Sequence, residues 1–191
     1  MSQGWFRSVV LATSLLGCFG CSKASTSATA SGSASSSAPT TTAPVDALVV
    51  GADAPKVTLT LQDGKKIEVG GPSERLVLVY FYPKDDTPGC TIEAKGIRDA
   101  WDRFKAAGID VYGVSTQDAQ SHQAFIDKFD LPFPLAVDKS GEIASAFKVP
   151  LKEGRATRQS FLIGKDGKLK AVWLAVKPDE HAEDVLKAAS S

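Results

Sequence analysis

The chain has 191 residues, with 22 basic and 22 acidic side chains, a formal net charge of +0 and a hydrophobic fraction of 43%. That length suits one domain with appendages, and balanced charge gives no reason to expect nucleic acid, which favours a clustered basic face. Of the cysteines Cys18, Cys21 and Cys90, only the last lies in a region patterned for folding, which excludes a disulfide framework or a cysteine-based zinc site there.

Residues 1–18 have the pattern of an export signal. Arg7 is followed by an apolar run over 8–16, too short for the ~18 residues of a membrane-spanning helix. The run ends in Leu15-Leu16-Gly17-Cys18, which resembles a bacterial lipobox with Cys18 as the lipidated residue. An ordinary cleaved signal, an uncleaved anchor or Cys21 as the lipid site remain the alternatives. Residues 19–48 are expected to be a flexible linker. Between 22 and 44 they are Ser, Thr, Ala, Gly and Pro, with Lys23 the exception, and such a stretch has too little apolar surface to offset its ordering entropy. The expected location is the bacterial cell envelope, exported, with a lipid anchor and a domain facing the periplasm or exterior.

Residues 49–191 carry the folded domain. Alternation over 57–61 predicts a strand, with Asp63-Gly64 as a turn and 66–69 returning. The continuous apolar run 76–82 suits a central strand covered on both faces. A helix is expected over 91–107, with Ile97, Trp101 and Phe104 on one stripe and Gly108 as its stop. A strand at 109–115, a helix at 119–129, a short strand at 135–137 and a short helix at 142–147 follow. A hairpin pairs 159–164 with 168–174 across Asp166-Gly167, and a helix over 179–189 closes the chain. The order implies an α/β fold with a central mixed β-sheet flanked by helices.

Chemistry concentrates in residues 80–91, YFYPKDDTPGCT. Thr87 then Pro88 marks a helix start, with threonine as N-cap and proline in the first helical position. Cys90 then falls in the first turn, among free backbone N–H groups at the positive end of the helix dipole. Such surroundings favour thiolate over thiol. The place also lies beyond the C-terminal end of a buried strand, where open α/β sheets bind ligands.

The string PKDDTPGC resembles the peroxiredoxin signature Pro-x-x-x-Thr-x-x-Cys, here Pro83, Thr87 and Cys90. It is closest to the bacterioferritin-comigratory, or Q-type, peroxiredoxins. GVSTQDAQSHQAFIDKFDLPFPLAVD (113–138), RQSFLIGKDGKL (158–169) and VKPDEHAEDVL (176–186) are similar to the same subfamily, in the same order. The resemblance implies a thioredoxin-like fold and reduction of hydrogen peroxide and organic hydroperoxides by Cys90, through a sulfenic acid. It implies that Thr87 hydrogen-bonds the peroxide or thiolate, that Pro83 shields the sulfur from water, and that Arg158 holds the thiolate and polarises the peroxide. Arg155 is a nearby decoy. Glu93, one turn from Cys90, is a candidate to orient Arg158, or else a solvated helix glutamate. The implied partners are a peroxide substrate and an external thiol reductant, thioredoxin-like or small. No cofactor is implied, and a monomer or weak dimer is expected.

Ionisation of the thiol alone does not make a fast peroxidase. A thiol of pKa ~8.5 is about 3% ionised at pH 7 and one of ~6 about 90%, a gain of roughly thirtyfold. Lower basicity returns about tenfold of that, on a Brønsted slope of ~0.4–0.5. Most of the rate must therefore come from oriented donors that stabilise charge as the O–O bond breaks.

Many Q-type members have a second, resolving cysteine five residues after the first; here Lys95 occupies that position. A one-cysteine enzyme is therefore expected, with Cys21 or a second chain as alternative resolving thiols. The competing function is a redox sensor or binding module, in which Cys90 forms mixed disulfides with a partner protein. A disulfide reductase is disfavoured, since the folded part has no C-x-x-C. His122 and His181 read as structural, with no second ligand at metal spacing around either, so no metal site is expected. Trp101 and Trp173 read as core or pocket lining, and the Lys65-Lys66 and Asp85-Asp86 pairs as turn charges.

Overall fold

The computed structural model describes residues 47–191, so the signal peptide, Cys18, Cys21 and nearly all of the linker lie outside the described residues. The strands are β1 (Val57–Thr60), β2 (Lys66–Val69), β3 (Leu76–Phe81), β4 (Ile109–Ser115), β5 (Leu135–Val137), β6 (Leu151–Lys152), β7 (Arg155–Ala156), β8 (Gln159–Ile163) and β9 (Leu169–Trp173). The helices are α1 (Pro88–Asp99), α2 (Trp101–Ala106), α3 (Ala119–Phe129), α4 (Glu142–Ala146) and α5 (His181–Ser190).

Five strands form one mixed sheet in the order β5-β4-β3-β8-β9. β3 runs parallel to β4 and antiparallel to β8, so it occupies the centre. Side chains alternate across a strand. Leu78 and Tyr80, with Tyr82 beyond the strand's end, join one core, with Ile97, Phe104, Phe125 and Val185 of α1, α2, α3 and α5. Val79 and Phe81 join the other, with Leu59, Ile143 and Phe147 from the β1-β2 hairpin and the α4 region. Both faces are dry, and a strand under that constraint has no use for polar alternation. This is why 76–82 is apolar throughout.

Two expectations need correction. The helix expected over 91–107 is two helices: α1 starts at Pro88, and Ala100 (φ −94°, ψ 9°) interrupts the run before Trp101. Periodicity does not register the break because the buried positions Ile97 and Phe104 keep a common face across it. The β6-β7 hairpin was not anticipated. Its strands have two residues each, too few for alternation, and its turn places Glu153 (φ 51°) and Gly154 (φ 72°) in left-handed conformations. Asn or Asp is the usual first residue of such a turn; glutamate hides it.

Candidate active site

β3 delivers the chain to the site at its C-terminal end, and α1 receives it. The loop between them is fastened from below. Asp85 is 6% exposed, so it is a buried anchor and not the turn charge expected from sequence. Its carboxylate accepts hydrogen bonds from Tyr82 Oη at 2.7 Å and Ser121 Oγ at 2.6 Å. His122 Nδ1 lies 3.0 Å from Asp85 Oδ2, while its Nε2 lies 3.2 Å from the Ala136 carbonyl. Asp86 turns through φ 55° and pairs with Lys128. The loop is thereby tied to α3 and β5 by groups that leave no mark in a local motif.

Burial pushes the Asp85 carboxyl up, but the hydrogen bonds from His122, Ser121 and Tyr82 outweigh it and hold it below the ordinary carboxylate range. A depressed folded-state pKa stabilises the fold above the unfolded value of ~3.9 and loses that contribution as pH falls through the folded value. Asp85→Asn should therefore flatten the acid limb of a melting-temperature profile. At neutral pH it should cost about 1–3 kcal/mol, the price of a broken buried network.

Thr87 occupies the N-cap position of α1 with extended backbone, and Thr91 N–H donates to its carbonyl at 2.8 Å. Its side chain makes no capping bond; Oγ1 donates instead to the Lys84 carbonyl at 3.0 Å. Pro83 is half-buried at the start of the loop. Cys90, at the third helical position, is 2% exposed and free. These three sit on one short segment, as the sequence predicts.

Arg158 comes from the residue before β8, far along the chain. Its Nη2 donates to Cys90 Sγ at 3.2 Å, and its Nη1 donates to Glu93 Oε2. Burial lowers the Arg158 pKa, but the Glu93 carboxylate and the Cys90 sulfur outweigh it and raise it, so the guanidinium stays charged. Glu93 is fully buried, which decides between the two readings left open above: it touches Arg158 and is not solvated. Arg155 is exposed and pairs with Glu153. Lys95 is exposed on α1. The Tyr80 hydroxyl, buried beneath the site, is pushed far above its usual pKa by burial and then by Glu93 and Cys90, so it stays neutral.

Sequence reasoning passed over Gly89. A Cβ built there would stand 3.3 Å from Arg158 Nη2, closer than an ordinary contact. The glycine leaves room for the guanidinium. Gly89→Ala should slow peroxide reaction several-fold, as the displaced guanidinium loses its aim, yet leave the melting temperature unchanged or raised, because alanine favours a helix over glycine by about 0.5–1 kcal/mol. Parallel rate and melting measurements check it.

A first-turn cysteine held by a charged arginine, at the end of a central strand, is a thiol-redox arrangement. The chain matches the AhpC/TSA family over residues 50–172. It belongs to that family. A putative peroxiredoxin bcp from Coxiella burnetii is 39% identical over 144 residues, covering 72% of this chain and 95% of the relative. Chloroplastic peroxiredoxin Q of Oryza sativa subsp. japonica is 38% identical, over 74% of this chain and 66% of that protein. Among solved structures, Xanthomonas campestris peroxiredoxin Q is 32% identical with a TM-score of 0.64, covering 70% and 89% of the two chains. The peroxidoxin BcpB of Mycobacterium tuberculosis is 27% identical with a TM-score of 0.68, covering 74% and 96%. Family and fold agree with the expected peroxiredoxin, of the bacterioferritin-comigratory and Q type, on a thioredoxin-like scaffold. The family member is accordingly a thiol-dependent peroxidase, an oxidoreductase.

Proposed function

We propose that Cys90 is the peroxidatic nucleophile of a one-cysteine enzyme. The observation that carries this is the 3.2 Å bond from Arg158 Nη2 to Cys90 Sγ, inside the first turn of α1. The guanidinium and the helix N-terminus stabilise negative charge on sulfur from two directions. The thiolate attacks the distal oxygen of ROOH; the S–O bond forms, the O–O bond breaks, and the departing RO⁻ takes a proton to leave as ROH. Cys90 becomes a sulfenic acid. Arg158 stays charged throughout and offers donors to the charge as it moves to the leaving oxygen. Pro83 limits water at the sulfur. Thr87 acts on the substrate once its hydroxyl turns from Lys84.

Organic hydroperoxides belong with hydrogen peroxide as substrates of this reading: alkyl peroxide reduction is ascribed to the Xanthomonas campestris bacterioferritin comigratory protein, 31% identical to this chain. With Lys95 on the helix in place of a second thiol, an external thiol attacks the sulfenic acid, releases water and forms a mixed disulfide. A second thiol then restores Cys90. The test is peroxide consumption by the purified protein with dithiothreitol, against Cys90→Ser. Loss of turnover in the variant is expected; equal rates overturn the assignment. Stable mixed disulfides without turnover point to the sensor reading. The anchor proposal, Cys18 lipidated in the cell envelope, is tested separately by mass spectrometry of the membrane fraction. An unmodified residue 18 refutes it.

A further inference from the structure

The chain of contacts behind Cys90 does not end at Glu93. His181 opens α5 and is 1% exposed. Its Nδ1 stands 3.0 Å from Glu93 Oε1, the carboxylate oxygen opposite the one Arg158 holds. The rings of Trp173 and Tyr80 wall the imidazole edge-on, with centroids at 6.0 and 6.1 Å. The distance is that of a hydrogen bond, but the angle is not: Glu93 Oε1 and both imidazole nitrogens lack a well-formed bond. Polar atoms buried in that condition are costly. Glu93 Oε1 stands at hydrogen-bond distance from the imidazole, while the Tyr80 hydroxyl, also buried, has no bond of its own.

We propose that His181 is a positioning residue for the peroxidase reaction. Through Nδ1 it holds Glu93 Oε1, so that Oε2 stays on Arg158 and Arg158 stays aimed at Cys90. The arrangement runs from α5 through α1 to the strap before β8, and it sets one donor to within the tolerance that reactivity demands. A bland alternative is a histidine that only fills space between Trp173 and Tyr80. The two differ in what a phenylalanine does there, since it fills the space without holding the carboxylate.

The proposal rests on the reading of Cys90 as the nucleophile, and the experiment separates the two. In the full chain, His181→Phe should slow second-order oxidation of Cys90 by hydrogen peroxide about ten- to a hundredfold and move the pH midpoint of Cys90 alkylation upward. Asparagine places an amide nitrogen near the position of Nδ1, and glutamine near that of Nε2. His181→Asn should therefore recover most of the rate, and His181→Gln little of it. Val185→Ala, a buried change on the same helix, supplies a comparable loss of melting temperature without touching Glu93 and should leave rate and alkylation profile in place. Wild-type behaviour in His181→Phe, equal losses in Val185→Ala, or equal rescue by asparagine and glutamine would overturn the proposal. Should the phenylalanine variant not fold, the asparagine–glutamine contrast decides. If wild type and Cys90→Ser consume peroxide alike, the assignment of Cys90 fails instead.

Discussion

Arg158→Lys should slow Cys90 oxidation by about a hundredfold while costing little stability, and Arg158→Met should lose about 10²–10³-fold together with part of the fold's stability. The difference follows from what the guanidinium does. It is a fork: one nitrogen on Cys90 Sγ, the other on Glu93 Oε2. Lysine keeps the charge but is a single point with no fixed second donor. It can neutralise Glu93 or approach the sulfur, and the fully buried carboxylate is the stronger claimant. Methionine leaves Glu93 without its cation. Breaking a buried pair on one side costs about 3–5 kcal/mol, towards the lower end here because the Arg158 side chain keeps 17% of its surface exposed. Stopped-flow oxidation and thermal melting, run on both variants, separate the two contributions. A lysine variant as fast as wild type would show that charge alone suffices and that the fork is incidental.

The sequence disclosed the parts of this site that lie close together in the chain. Thr87-Pro88 announces a helix start whatever the tertiary fold, so the place of Cys90 in the first turn was legible. The apolar run 76–82 likewise announces a strand buried on both sides. What a local reading cannot see is where a side chain ends after the chain has turned back. Asp85 and Asp86 are adjacent and identical; one is buried against His122 and the other reaches Lys128 at the surface. Nothing local distinguishes them. Glu93 had two readings because its partner arrives from 65 residues away. His181 looked structural for the same reason, since its neighbours belong to α1, β3 and β9. Gly89 gives no local sign of its clearance for Arg158, which arrives from far along the chain. Arg158 itself was legible through its resemblance to a family pattern; composition and periodicity carry no such information.

Lys95→Cys should change the oxidised product altogether: one equivalent of peroxide should yield an intramolecular disulfide between Cys90 and the introduced thiol in place of a sulfenic acid. Geometry makes this a demanding test. Residues five apart on a continuous α-helix have Cα atoms about 8.6 Å apart, from a ~1.5 Å rise and ~2.3 Å radius, whereas disulfides span roughly 4.4–6.8 Å. The first turn of α1 must therefore open. That turn is weakly built. Pro88 and Gly89 occupy its first two positions, and Thr87 gives it no side-chain cap, a bond worth about 0.5–2 kcal/mol elsewhere. Arg158 adds a bond to the sulfur within that turn, and on the proposed mechanism that bond should weaken once Cys90 carries a neutral S–OH. Oxidation should then loosen the turn that holds its own product. In wild type, with no thiol added, the sulfenic acid should persist and be trapped by dimedone. In Lys95→Cys, intact mass should show the loss of two hydrogens, no dimedone adduct and no free thiol at either position. A variant that keeps the introduced thiol free and remains dimedone-reactive would show that α1 stays closed after oxidation, and would require any reducing thiol to reach Cys90 in place.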